Sequence, residues 1–395
     1  MTQVTYDSSQ ELSLPTEVRE YIKKEYHHLD THYFNTSYFG PSPYNAKQKV
    51  SRALQKELDP SSYDYQTWMG VSERIRISLA ELLGANPDNI THSSSSSDTV
   101  NIVANGYPFK KGDHVASING DYPSNVLPWM RAAETRGIHF DLLDYDDSWP
   151  YPTAKWLEQK LHPQTKIFNI SHIQFDTGRK IDLVEIGEML KRKGIMFVVD
   201  VTQSLGGMEV TAQELELIDV LTCSSYKWML GPYGHAFAYF SDRTIETIEH
   251  HTGNWTVSPN SRVVYNLLDY TTKTLPGARK YDRGQASNML AMSCLEGGLE
   301  FLSEVGLKRI RQTNARLRDF FLENYPKDKY ELRIPKDHMG NIVSLRAKNL
   351  DPIDLERELK FRNVDVSIRQ GHVRLSFHIF NHQEQVETLI ETMDI

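Results

Sequence analysis

Cysteine is nearly missing from this chain of 395 residues; only Cys223 and Cys294 are present. Two thiols cannot build a disulfide framework or a cysteine metal cluster. Long apolar runs are missing too. No stretch approaches ~18 uninterrupted apolar residues, so no transmembrane helix is expected. There is no basic excess: 44 Lys and Arg stand against 52 Asp and Glu, a net charge of -8. Neither nucleic acid nor an anionic membrane is therefore an expected partner. The opening "MTQVTYDSSQELSLP" has no basic segment followed by an apolar one, so no signal peptide is expected and a cytoplasmic location fits. The histidines at 27, 28, 250 and 251 form adjacent pairs without metal-ligand spacing, and no metal is expected on them. No repeat of fixed period stands out.

What is present is an ordinary globular composition, with 39% hydrophobic and 24% charged residues. The length suggests two domains, or one large domain with an appendage. From about residue 90, short apolar runs alternate with amphipathic ones. The strand candidates are "NITHSS", "HVASIN", "HFDLLDY", "KIFNISHI", "IMFVVDV", "DVLTCSS" and "HAFAYF". Helical candidates include "SERIRISLAELLGA", ending at Gly84, "SDTVNIVANGY" and "DLVEIGEMLKRKG". Strands separated by such helices predict a mostly parallel α/β sheet. The last stretch opens on a long helix, "SNMLAMSCLEGGLEFLSEVG", and continues as a smaller α+β domain. The expected division is an N-terminal segment, 1–19, packing on the small domain, a large domain, 20–275, and a small one, 276–395.

In open α/β sheets, ligands bind beyond the carboxyl ends of the strands. Five strand ends here carry polar residues. "IMFVVD" ends in Asp200, "DVLTCSS" just before Tyr226 and Lys227, "NITHSS" in a serine run, "SINGD" at Asp121 and Tyr122, and "NISHI" near Gln174. A cofactor with a phosphate, a ring nitrogen and an aldehyde would use all of them; pyridoxal 5'-phosphate, PLP, is such a molecule. Ser96 and Ser97 would open a helix, where free N–H groups and the dipole favour an anion. A plain N-cap would need only one serine. A strand-end carboxylate such as Asp200 can bond a protonated ring nitrogen, and Gln203 can reach a ring hydroxyl; each alone could equally cap a loop. Lys227 lies among Tyr226, Trp228, Met229 and Leu230. Desolvation there would lower its pKa and make it a nucleophile; the alternative is a snorkelling lysine at a strand end.

"VVDVTQSLG" followed by "SSYKWMLGPYG" resembles the signature of the class V aminotransferase-like family, within fold type I of the PLP enzymes. "THSSSSSDTVN", "DYPSNVLPW", "SHIQFDTGRKIDL" and "VRLSFHIFN" are similar to further segments of that family, so the likeness spans nearly the whole chain. The resemblance implies a large domain with a mostly parallel seven-stranded sheet and a smaller α+β C-terminal domain. It implies Lys227 as the Schiff-base lysine, Asp200 at the pyridinium nitrogen, Gln203 at the ring oxygen and Tyr122 stacked on the ring. Ser96, Ser97, Ser224 and Tyr226 would hold the phosphate, and Arg374 the substrate carboxylate, which its planar fork suits. "GARKYDRGQASN" resembles the loop that crosses to a neighbouring subunit, which implies a homodimer with shared sites and Gln285 at the partner's phosphate. Relatives have Gly-Thr where this chain has Gly284 and Gln285, and often Asn where it has Phe175; Gln174 is the expected substitute. The aromatic entry loop "HYFNTSYFGPSPY", with Asn35, is expected at the substrate.

The same machinery serves transamination, epimerisation and elimination at the α-carbon of an amino acid. Transamination demands least, needing only Lys227 to move the proton, and is the preferred expectation. A C–S β-elimination lyase or an epimerase is the alternative, Tyr122 being the candidate second acid. A desulfurase needs a mobile loop cysteine in the small domain, and no cysteine follows Cys294. A scaffold without catalysis is the non-enzyme alternative; the complete set of Lys227, Asp200 and Arg374 argues against it.

Overall fold

The structure is a computed structural model that describes residues 14–62, 64–145, 152–262 and 267–394. Seven strands form the main sheet. They are β1 (Ile90–Ser93), β2 (His114–Ile118), β3 (His139–Leu143), β4 (Thr165–Ser171), β5 (Met196–Asp200), β6 (Val220–Ser224) and β7 (Ala236–Phe240). Their order is β1-β7-β6-β5-β4-β2-β3. Strands β2 to β6 pair in parallel, and β7 runs antiparallel to both its neighbours. All seven coincide with the apolar runs read from the sequence. Strand β5 is buried at every position, because a parallel strand covered by helices on both faces has no solvent side.

Helices α1 (Thr16–Tyr26), α2 (Tyr44–Leu58), α3 (Tyr65–Leu83) and α4 (Ser96–Gly106) precede or flank the sheet. Helix α3 starts a full two turns before the apolar pattern suggested. Asp64 caps it, accepting from the Thr67 amide at 2.7 Å, and Gly84, with φ 65°, ends it as expected. Beyond the sheet come α5 (Met289–Val305) and α6 (Leu307–Asn324). A second sheet, order β10-β11-β9-β8 and antiparallel throughout, holds β8 (Tyr330–Leu332), β9 (Ile342–Ala347), β10 (Ser367–Arg369) and β11 (His372–Ser376).

The two sheets own separate cores, and the handover between them falls inside α6 rather than at 276. Leu295, Leu299 and Leu302 of α5 pack in the main core with Ile75 and Leu79 of α3. Leu317 and Phe321 of α6 pack in the second core with Val343 and Leu375. The physical reason lies in two glycines of α5. A Cβ at Gly297 would overlap the backbone of Ala46, and one at Gly298 the carbonyls of Met229 and Leu230. That close approach ties α5 to the large body. Of the expected N-terminal segment, residues 1–13 lie outside the described residues. Its described part leads into α1; Leu14 and Val18 pack against the main core, and Leu14 and Arg19 face Leu317 and Phe320 of α6 across one cavity. No helix among the described residues is long and apolar enough to cross a membrane.

Candidate active site

The carboxyl ends of β4, β5 and β6 set Ser171, Asp200 and Thr222 side by side. Beyond β6 the chain makes a tight turn that carries Lys227. The Leu230 amide bonds the Lys227 carbonyl at 3.0 Å, and the Gly231 amide bonds that of Ser225 at 2.9 Å. Leu230 takes a left-handed φ of 57° and is fully buried. A non-glycine residue holds that conformation only where its surroundings impose it. From behind, Ser225 Oγ meets His235 Nδ1 at 2.6 Å, and His235 Nε2 meets His92 Nδ1 at 3.2 Å. From the front, the entry loop closes on the turn through the Gly40 amide and the Tyr226 carbonyl, 2.8 Å apart.

This turn leaves Lys227 only 6% exposed. Its Nζ lies 5.3 Å from the Tyr122 ring centre and 5.4 Å from that of Tyr226. Burial first, and then the Arg374 guanidinium, lower its pKa from 10.5 to about 7, with Asp200 pulling the other way. The amine is thus a usable nucleophile and base near neutrality. Asp200 is 4% exposed. Burial pushes its carboxyl up, while Thr202, Lys227 and Asn125 oppose the shift. The Thr202 amide donates to Asp200 Oδ1 at 2.8 Å. Gln203 shares the wall with them. Its Oε1 accepts from Trp228 Nε1 at 2.9 Å and its Nε2 donates to the Ser37 carbonyl at 3.0 Å. One amide N–H remains for the cavity.

Three hydroxyls gather at the start of α4. Ser96 Oγ lies 3.2 Å from Thr202 Oγ1 and 3.1 Å from Ser224 Oγ. Ser95 caps the helix, accepting from the Asp98 amide at 3.1 Å. The next amides are therefore left to face an anion. Ser97 is not on the wall; its hydroxyl donates to Ser124 Oγ at 2.8 Å, and Ser124 lines the cavity in its place. Thr202 and Ser124 had no signal in the sequence beyond their neighbourhood. Each is recruited by tertiary contact with Ser224 and Ser97.

Away from the hydroxyls the slot widens into an open cavity of about 490 Å³, walled by Tyr38, Phe39, Tyr226, Tyr233, Arg369 and Arg374. Arg374 is 2% exposed. Its Nε donates to Ser367 Oγ at 3.2 Å and its Nη1 to the Phe175 carbonyl at 2.7 Å. Burial and then the Arg369 guanidinium lower its pKa to about 9, which leaves it charged at neutral pH.

Besides Ser97, three expected residues stand elsewhere. The Gln174 side chain is turned away: its Oε1 accepts from Tyr145 at 3.1 Å and Thr177 at 3.2 Å. Past the end of β4 the chain curls, the Gly178 amide bonding the Gln174 carbonyl at 3.0 Å. The wall position falls to Phe175, whose ring meets that of Tyr122 edge-on at 5.2 Å. Asn35 does not line the cavity. Its Nδ2 donates to Asp365 Oδ1 at 2.7 Å and to the Val366 carbonyl at 3.3 Å, fastening the entry loop to the segment just before β10. Ser37, Tyr38 and Phe39 of the same loop reach the cavity instead. Gln285, with φ 59°, faces a separate small pocket with Trp68, Ser72 and Asp282, apart from Lys227 of its own chain.

Neither cysteine belongs to the site. Cys223 is fully buried within β6, and burial pushes its thiol well up. Cys294 lies in α5 with its sulfur 3.7 Å from Ser42 Oγ, and burial raises its thiol too.

The sequence model of aminotransferase class V matches residues 61–389, a span that holds Lys227, Asp200 and Arg374 alike. The chain belongs to the class V aminotransferase family. A probable cysteine desulfurase of Pyrococcus abyssi is 28% identical over 82% of this chain and 82% of its own. The apo structure of a cysteine desulfurase from Thermococcus onnurineus NA1 covers 95% of this chain and 97% of its own, with a TM-score of 0.81 and 24% identity. A cystine C–S lyase, solved in complex with its product cysteine persulfide, covers 93% of this chain and 98% of its own, with a TM-score of 0.84 and 18% identity. At those identities, the two solved structures speak for the fold.

Proposed function

We propose that this class V enzyme binds PLP on Lys227 and acts at the α-carbon of an amino acid, cleaving a β-carbon–sulfur bond by elimination. One observation carries the PLP part of the reading, which elimination shares with transamination and epimerisation. A buried amine, Lys227, and a buried carboxyl, Asp200, belong to neighbouring strand ends, with a hydroxyl cradle on one side and the Arg374 guanidinium on the other. The residues fit the cofactor. Ser96, Ser224, Thr202 and the first amides of α4 suit its phosphate, Asp200 its ring nitrogen, Gln203 its ring oxygen and Tyr122 its face. PLP, when bound, draws electron density from the substrate's α-carbon and so acidifies the α-proton.

The chain's own residues do the rest. Arg374 binds the substrate carboxylate with its free Nη2 edge and so orients the α-carbon. Lys227, whose pKa is near 7, takes the α-proton and is poised to return one. Asp200 keeps a proton at the ring nitrogen, where charge develops. The aromatic walls, Tyr122, Phe175 and Tyr226, exclude water from the amine. Overall, an S-substituted cysteine and water yield a thiol, pyruvate and ammonia.

Desulfurase names among the relatives support sulfur chemistry. A route through an enzyme persulfide is not served here, because neither cysteine lines the cavity. Transamination is the second reading, favoured by Lys227 being the lone amine base of the cavity among the described residues. We also read the chain as a homodimer in which the Gln285 segment serves the partner's phosphate site, in keeping with its distance from its own cavity. The test is to incubate the PLP-loaded protein with S-substituted cysteines and no oxo acid. Pyruvate, ammonia and free thiol in equal amounts support elimination. Accumulation of pyridoxamine phosphate without ammonia would replace it with transamination.

A further inference from the structure

Two guanidinium groups face the same cavity, and the reaction above uses only one. Arg369 lies on β10 and Arg374 on β11. Their strands pair antiparallel with Ser367 opposite Arg374 and Arg369 opposite His372. Residues two apart on a strand share a face, so Arg369 and Ser367 point the same way. Arg374, opposite Ser367, points that way too. Diagonal neighbours of this kind stand about 7–8 Å apart at their stems. Both line the open cavity beside Lys227.

Among the described residues neither has an acidic hydrogen-bond or ion-pair partner. Arg374 donates its Nε to the Ser367 hydroxyl and its Nη1 to the Phe175 carbonyl. Arg369 donates to the Ile368 carbonyl at 2.7 Å and lies over the Tyr38 ring, 5.4 Å from its centre. Asp176, the acid that stabilises Arg374 from a distance, is held by Arg333 at 2.8 Å. No ion pair joins either guanidinium to a carboxylate among the described residues. Asp200 faces Lys227 at the other end. Among the described residues, the wall at the substrate end of the cavity therefore carries two positive charges and no carboxylate. Like charges this close in a partly desolvated pocket cost free energy unless a ligand neutralises both.

We infer that the substrate is an amino acid whose side chain ends in a second anionic group, a carboxylate or an oxidised-sulfur acid, and that Arg369 receives it while Arg374 holds the α-carboxylate. The inference rests on the reading of the site as a PLP enzyme of amino acids. Tyr38 supports the Arg369 fork from one side, as an aromatic face does for a cation. The mouth beyond is open, with Tyr38 and Tyr233 at 56% and 75% exposure, so side chains of several lengths can extend toward it.

The experiment uses the PLP-loaded full chain and reads solvent deuterium entering the α-carbon. That readout is common to elimination, transamination and epimerisation. Matched pairs are compared: glutamate with glutamine, aspartate with asparagine, and S-carboxymethylcysteine with its amide. The expected result is a preference of roughly 10- to 100-fold in kcat/KM for the acid of at least one pair, the size of a charge-assisted contact. Arg369→Met should bring that ratio close to one, and Arg369→Lys should keep part of it. A ratio near one in the parent protein, or one unmoved by Arg369→Met, overturns the second anion site while leaving the PLP reading standing. No exchange with any amino acid, together with no cofactor trapped on Lys227 by borohydride, overturns that reading and the inference with it.

Discussion

Replacing Arg374 with Met should change the acidity of a different residue, Lys227. The fall of the Lys227 pKa from 10.5 to about 7 amounts to roughly 5 kcal/mol of extra cost for its ammonium. Burial leads that cost and Arg374 comes second. A like charge on the wall of the same cavity, felt through an effective dielectric of ~20, contributes on the order of 1.5 kcal/mol, a little over one pKa unit. Methionine keeps the length of the arginine stem without its charge. Removing the cation relieves the ammonium, so the sign is upward, and the midpoint should move to about 8. The assay is trace labelling of the apoprotein with a neutral acylating reagent across pH. The Lys227 peptide is quantified by mass spectrometry against exposed lysines. A parent midpoint near 10.5 would refute the burial argument. A parent midpoint near 7 that Arg374→Met leaves unmoved would refute the role of the second charge.

Asp200→Ala should leave the fold intact, since the orphaned Thr202 amide costs only about 1–3 kcal/mol. Turnover should fall on the order of 10²- to 10³-fold or more, measured as α-proton exchange at saturating substrate; full activity would contradict its role at the ring nitrogen. Gly40→Ala places a Cβ on the Lys227 carbonyl, and that atom is backbone and cannot swing aside. It should destabilise the apoprotein by about 1–3 kcal/mol in urea unfolding and lower cofactor capture by Lys227, whereas parent-like values for both would show that the loop yields. His92, His172 and His378 are buried and neutral, burial lowering each from 6.5 to about 3. Their folded pKa values lie below the unfolded ones, so their stabilising contribution is complete above 6.5 and is lost as pH falls toward about 3. The loss reaches up to about 1.4 kcal/mol per pH unit for each histidine. A urea midpoint that stays flat from about pH 7 to about pH 5 would count against it.

How far the site could be read along the chain depended on distance in sequence. Asp200, Gln203, Ser224, Tyr226 and Lys227 occupy two adjacent strand ends, and strand ends follow from apolar runs bounded by polar turns. Ser96 followed from the start of a helix. Gln174 failed because the alternation of faces stops where β4 stops. In the curled segment beyond, the Gly178 amide to the Gln174 carbonyl decides that Phe175, and not Gln174, meets the cavity. Asn35 failed because its partner, Asp365, lies 330 residues away. Arg369 was invisible for the same reason: its face is set by register with β11, and a shift of one residue would have turned it outward.

By itself the sequence determined the strands, their mostly parallel sheet and the place of Lys227 at a strand end, because each is written in local periodicity or in neighbours a few residues apart, and its motifs carried the resemblance to the class V family. Only the tertiary structure decided which hydroxyls gather at the start of α4, that α5 joins the large core, and that two arginines share one cavity with no acid between them among the described residues. Those are contacts between segments distant along the chain, and their geometry exists only once strand register and close helix packing have been fixed together.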